Sequence, residues 1–172
     1  DTLIMLDILV RDGDKWRAIE VKSSLSLSET YYQDAALQYY VLNGCNVPIS
    51  DMQLMYINSN YIKHGDIDIN QLFVFESVKD YAEQQLYSID KKVNELKDVV
   101  NLNNAPKINI GPQCFYPYTC EFKGHCWKKI PNDNFLHTNA YSDKELFSIY
   151  NNGIQDNNNF KKIIDPLSLE MN

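Results

Sequence analysis

TLIMLDILVRDGDKWRAIEVKS, residues 2–23, decides the fold. Thr2 to Val10 is rich in β-formers, Lys15 to Ser23 alternates apolar with polar residues, and Asp12-Gly13 lies between the two runs. An Asp-Gly in that position predicts an antiparallel hairpin, because both central residues of a type I′ turn need positive φ. With Asp12-Gly13 as the loop, Arg11 faces Asp14, Met5 faces Glu20 and Asp7 faces Ala18, opposing numbers summing to 25. The period of two then puts Asp7, Glu20 and Lys22 on one face, among Leu3, Met5, Leu9, Trp16 and Ala18. The opposite face, with Ile4, Leu6, Ile8, Val10, Ile19 and Val21, reads as continuous core. Asp7 and Glu20 are diagonal neighbours whose Cβ atoms lie within about 7–8 Å, so both carboxylates reach one hard cation at about 2.0–2.1 Å. The alternative is a solvated face on which Lys22 pairs with one carboxylate. Trp16, Leu3 and Met5 favour an enclosed face, where isolated charges are costly.

Outward from the hairpin, Ser28 can cap a helix with Glu29 in its first turn, the body TYYQDAALQYYVLN, Gln38 in its middle and Gly44 as its stop. Asp51 to Ile62 and Gln71 to Ser77 read as two further strands, separated by a turn at His64-Gly65-Asp66. From Val78 to Leu102, apolar residues recur at Ala82, Leu86, Ile89, Val93, Leu96 and Val100, the pattern of a long amphipathic helix packing on the sheet. The expected class is α/β (α+β), a mixed sheet flanked by helices. Ser142-Asp143-Lys144-Glu145 is a capping box opening a short helix that ends near Gly153. Asn157 to Asn159 reads as a loop, and Phe160, Ile163 and Ile164 suggest one more helical turn before Pro166.

Asp7, then Glu20-Val21-Lys22, then Gln38 and Tyr40 on the next helix resemble the PD-(D/E)XK nucleases, particularly the RecB-like branch that includes CRISPR adaptation nucleases and AddB. The branch carries a Gln followed four residues later by Tyr, whereas Gln38 is followed at that spacing by Leu42. The resemblance implies a restriction-endonuclease-like core over residues 1–105 that lacks its N-terminal part, with Asp7 and Glu20 as ligands of magnesium or manganese. Gln38 joins the catalytic set. Lys22 would orient the attacking water and steady charge on the phosphate, so that the chemistry is metal-assisted phosphodiester hydrolysis. The implied partners are DNA and further domains of the same, larger bacterial protein.

Residues 106–131 hold GPQCFYPYTCEFKGHCWKK, a stretch too short to own a core. Cys114, Cys120 and Cys126 fall within thirteen residues there, and thiolates give such a segment folding energy by sharing a metal. The segment resembles the knuckle of the RecB-like branch, where three cysteines after the nuclease core and one before it hold a 4Fe–4S cluster. It is closest to an uncharacterised bacterial RecB-like family with the pattern seen from Pro117 to Trp127. Zinc completed by His125 is the competing metal, three buried free thiols are the metal-free alternative, and Cys45 is a substitute for the upstream ligand. Residues 132–172 form a small helical tail. The aromatic and basic residues Phe122, Lys123, His125, Trp127, Lys128 and Lys129 read as packing around the knuckle rather than as a strand-binding surface.

The 172 residues carry 44% hydrophobic and 23% charged side chains, which excludes a disordered or fibrous chain. No apolar run approaches the roughly 20 residues of a membrane span. A net charge of -7 excludes a surface that coats duplex DNA by neutralising phosphates, so any nucleic-acid role needs a local site. The start at Asp1 without an initiator Met reads as a fragment of a cytoplasmic protein. Two functions compete: a metal-dependent DNA nuclease module, and a module on the same fold that binds nucleic acid or a partner without cutting. No Ser-His or Cys-His pairing suggests a small-molecule hydrolase, and His64 and His137 read as surface residues.

Overall fold

A computed structural model describes residues 2–138 and 141–169, and the chain divides into two compact units, Asp1–Asn104 and Ala105–Asn172. In the first, β1 (Ile8–Asp12), β2 (Lys15–Lys22), β3 (Ile49–Ile57) and β4 (Phe73–Ser77) form one sheet in the order β1-β2-β3-β4. β1 and β2 are antiparallel, β2 and β3 parallel, and β3 and β4 antiparallel. Helix α1 (Glu29–Gly44) is the crossover that the parallel pair requires. Helix α2 (Ile69–Leu72) leads into β4, and α3 (Lys79–Val100) follows it. The fold is mixed α/β, a four-stranded mixed sheet with helices packed on it.

The hairpin turns one residue later than the Asp-Gly pair suggests. Asp12 pairs with Lys15, Gly13-Asp14 is the loop, and opposing numbers sum to 27. Gly13 alone has positive φ, 60°, as in turns that need glycine only at the first central position. Asp12 is held in the strand by Ser50 Oγ, which donates at 2.7 Å, and by Arg17 at 3.4 Å. Moving each partner by two keeps every side chain on its face, so Leu9 rather than Asp7 stands opposite Ala18.

The covered face differs from the expected one. Ala18, Met52 and Leu54 are fully buried under α1 and α3 together with Ala35, Ala36, Tyr39 and Ala82. Glu20 and Lys22 share that covered face. On the other face Ile8, Val10 and Val21 are 38%, 42% and 36% exposed, while Ile19 is buried as expected. Those aliphatics repeat with the period of a core strand, but the crossover lays its helix on one side of the sheet, and α3 joins it there.

Ser28 precedes α1 as expected, without a side-chain capping bond. At the other end Gly44 remains helical, and Asn46, with φ of 57°, takes the left-handed position. Val47 N donates to Leu42 O and Asn46 N to Asn43 O, both at 3.0 Å, the bond pattern of a Schellman cap. Helix α3 packs chiefly along α1. Three phenols tie the two helices together: Tyr39 donates to Glu83 at 3.0 Å, Tyr40 to Asp90 at 2.8 Å and Tyr81 to Glu29 at 2.9 Å.

The second unit has its own core, in which Ile110 and Cys114 pack with Phe135, Leu136, Leu146, Phe147 and Phe160. Residues 106–131 and the tail therefore share one interior. Helix α4 (Lys123–Cys126) is a single turn, α5 (Asp143–Asn151) opens with the expected Ser142–Glu145 capping box, and α6 spans Asn157–Leu169. The expected loop at Asn157 is the first turn of α6, because Asp156 accepts from Asn159 N at 2.9 Å and caps it. Two amides stitch the irregular stretch: Asn134 Nδ2 donates to Gln155 O at 2.8 Å, and Asn157 Nδ2 to Asp133 O at 2.7 Å. Among the described residues no helix is long and apolar enough to cross a membrane.

Candidate active site

On the covered face the register sets two rows across the sheet, Lys22–Tyr56–Val74 and Glu20–Leu54–Glu76. Lys22 Nζ donates to Glu20 Oε1 at 2.8 Å and to Asp34 Oδ2 on α1 at 2.5 Å. The Tyr31 ring centroid lies 5.3 Å from the same ammonium. Burial pulls the Lys22 pKa down, but its hydrogen bonds and charge contacts with Asp34 and Glu20 outweigh this and raise it above the ordinary lysine value.

Gln38 stands over Glu20 for a geometric reason. A helix joining two parallel strands runs antiparallel to them, so the direction from Lys22 back to Glu20 is the direction from Asp34 on to Gln38. Two residues of strand advance about 6.6 Å and four residues of helix about 6 Å. Since Asp34 sits on Lys22, Gln38 comes to sit on Glu20. Both residues are buried, Glu20 at 7% and Gln38 at 4% exposure overall. Glu20 Oε2 and Gln38 Oε1 are buried oxygens without a hydrogen-bond partner. Each unmade bond costs about 1–3 kcal/mol, more for a charged group. A carboxylate oxygen and an amide oxygen are the ligand types that a hard cation prefers.

Asp7 lies one residue before β1, where the register continued by one step would set it opposite Glu20. Its Oδ2 accepts from Val21 N at 2.8 Å, and the residue is exposed. The Asp7 carboxylate thus closes the end of the β1–β2 ladder. Tyr40 is turned away from the site toward Asp90 on α3. Sequence reasoning missed Asp34, although its spacing of four from Gln38 puts both on one helix face. Among the described residues no group of three His, Cys, Asp or Glu side chains is arranged to hold a metal. Magnesium commonly takes only one or two carboxylates, keeping water and phosphate as its other ligands.

Comparison with protein-family models, curated proteins and solved structures gives no match. The site is read from its own geometry.

In the second unit Cys114 is buried in the apolar cluster, Cys120 is half-buried, and Cys126 and His125 are exposed. The stretch is linked through its backbone: Cys120 N donates to Cys114 O, Lys123 N to Cys120 O and Cys126 N to Phe122 O, each at 3.0 Å. Packing orders the stretch as well. Trp127 meets Phe115 edge-on at 5.5 Å and Phe147 at 6.0 Å, and Lys123 Nζ lies 4.0 Å over the Phe115 ring.

Proposed function

We propose that the first unit is a metal-dependent phosphodiesterase module acting on DNA, built on a restriction-endonuclease-like core similar to the RecB-like branch of the PD-(D/E)XK nucleases. The observation that carries this reading is the pairing of Lys22 with Glu20 and with Asp34 on the covered face, where Glu20 and Gln38, on the same helix as Asp34, each carry a buried oxygen with no partner.

Glu20 and Gln38 would hold magnesium or manganese, with Asp34 or Asp7 as a second carboxylate. A bound ion would supply a water of lowered pKa and polarise the scissile phosphate. Lys22 has three N–H donors, of which Glu20 and Asp34 take two. The third can reach a water or a phosphate oxygen. The two carboxylates keep Lys22 charged and fix its direction, so it acts as a point-charge donor toward developing negative charge. Helix α1 keeps bulk water from Glu20, which strengthens every charge contact at the site.

Isothermal titration with manganese alongside cleavage of single- and double-stranded DNA tests the reading. Lys22→Ala is expected to abolish cleavage and keep the ion, and Glu20→Ala to lose both. Binding of nucleic acid with no cutting in manganese would move the function to the non-cleaving module.

A further inference from the structure

One strand over from Lys22, the same row of the sheet continues into a cleft. Tyr56 is the register partner of Lys22, and Val74 is the partner of Tyr56. Both line a cleft of ≈ 380 Å³ together with Tyr32, Leu27, Asn60 and Glu76. Its volume is at the lower end for small-molecule sites, which run about 300–1,000 Å³. The Tyr32 hydroxyl donates to Glu76 Oε1, which fixes the Tyr32 ring and leaves the carboxylate as the one charged group in the lining. The side chains of Asn60, Ser59 and Tyr56 make no hydrogen bond among the described residues.

This chemistry selects the occupant. With a carboxylate and no cation in its lining, the cleft does not attract an anion. Two aromatic rings with amide and hydroxyl groups at the rim suit a flat, neutral group with hydrogen-bonding edges. Lys22, the register partner of Tyr56 on the adjoining strand, supplies the positive charge that the cleft lacks. A nucleotide divides its chemistry in the same way, into a charged phosphate and a neutral planar base.

We propose that the cleft takes one unpaired nucleobase of a single-stranded nucleic acid whose adjoining phosphate lies at Lys22, so that the module prefers single strands to duplex. The inference rests on the phosphodiesterase reading for the role of Lys22 and names the substrate class of that site. A paired base cannot enter without leaving its stack, at a cost of a few kcal/mol, whereas an unpaired base does so freely. An acidic chain also has little to offer duplex phosphates, and stacking does not depend on net charge. The Tyr32 phenol is pushed up to about 12 by its hydrogen bond to Glu76 and by burial.

The test is fluorescence anisotropy in EDTA, where no cutting intrudes, with dT12, rU12 and a duplex of equal length. One or both single strands are expected to bind at least tenfold tighter than the duplex. Tyr56→Ala is expected to weaken that binding about 5- to 100-fold, since stacking on one aromatic contributes about 1–3 kcal/mol, and Tyr56→Phe to restore it. Photocrosslinking of a 5-bromouracil strand to the wild-type chain, mapped by mass spectrometry, needs no variant and is expected to label Tyr56 or Tyr32. Equal binding of duplex, an unchanged Tyr56→Ala, or crosslinks solely outside the cleft overturns the proposal. Single strands that bind and crosslink here but remain uncut in manganese would leave the cleft standing and remove the phosphodiesterase. Duplex cut in manganese without a crosslink at the cleft would do the reverse.

Discussion

Replacing Lys22 by Met removes the ammonium that joins β2 to α1 while keeping the length and apolar stem of the side chain. In the wild type this ammonium bonds Glu20 at 2.8 Å, the two side chains being 15% and 10% exposed, and Asp34 at 2.5 Å. Glu20 already has one orphaned oxygen, so the variant leaves a buried carboxylate with neither oxygen paired to the lysine. Removing one partner of a buried pair costs about 3–5 kcal/mol. Asp34 is 40% exposed and recovers water, so its share is discounted for screening. A loss of about 3 kcal/mol lowers the melting temperature of a unit of this size by about 12–24 °C. The assay is thermal denaturation by circular dichroism, in EDTA and in manganese. Manganese is expected to raise the melting temperature of Lys22→Met more than that of the wild type, because a divalent ion takes over the neutralising role. Glu20→Gln introduced into Lys22→Met is expected to recover most of the loss. A Lys22→Met melting temperature within a few degrees of wild type, with no response to manganese, would refute the buried-pair reasoning.

The cysteines of the second unit should behave unequally. Cys114→Ala, in the core, is expected to destabilise by about 1–2 kcal/mol through lost packing, while Cys126→Ser, at the surface, stays within about 0.5 kcal/mol; equal losses at Cys114, Cys120 and Cys126, with bound iron or zinc by elemental analysis, would show a shared metal instead. The tyrosine pairs make the first unit sensitive to alkali. Burial and then Glu83 push Tyr39 up to about 12, so its contribution is complete below pH 10 and lost as pH rises toward 12; Tyr39→Phe is expected to flatten urea stability across that window, and an unaltered slope would count against the pairing. Asn134, at 5% exposure, bonds Gln155 O and caps Leu136 N, so Asn134→Ala should cost about 1–3 kcal/mol, read by urea denaturation.

Local signals were legible wherever one residue settles one feature. The hairpin, the Ser142 capping box, the long helix after β4 and the grouping of Glu20 with Lys22 all follow from spacing alone. Two long-range properties were not. Ile8, Val10 and Val21 alternate like a core strand, and nothing local says that both helices lie on the other face. The loop register turned on whether Asp12 or Asp14 accompanies Gly13, which Ser50 and Arg17 decide from outside the hairpin. Asp34 was missed because an acidic residue on a polar-looking turn of α1 gains meaning only once β2 lies beneath it. The core around Cys114 was not legible in the cysteine-rich stretch alone, because Phe135, Leu146, Phe147 and Phe160 complete it from residues further on.

The most direct test of the central claim is calorimetric titration of manganese into the wild-type chain and into Glu20→Gln, with DNA cleavage followed in the same samples. One saturable site that disappears in Glu20→Gln, together with cleavage that requires manganese and is lost in that variant, is the expected result. No saturable binding, or undiminished binding and cleavage in Glu20→Gln, would contradict it.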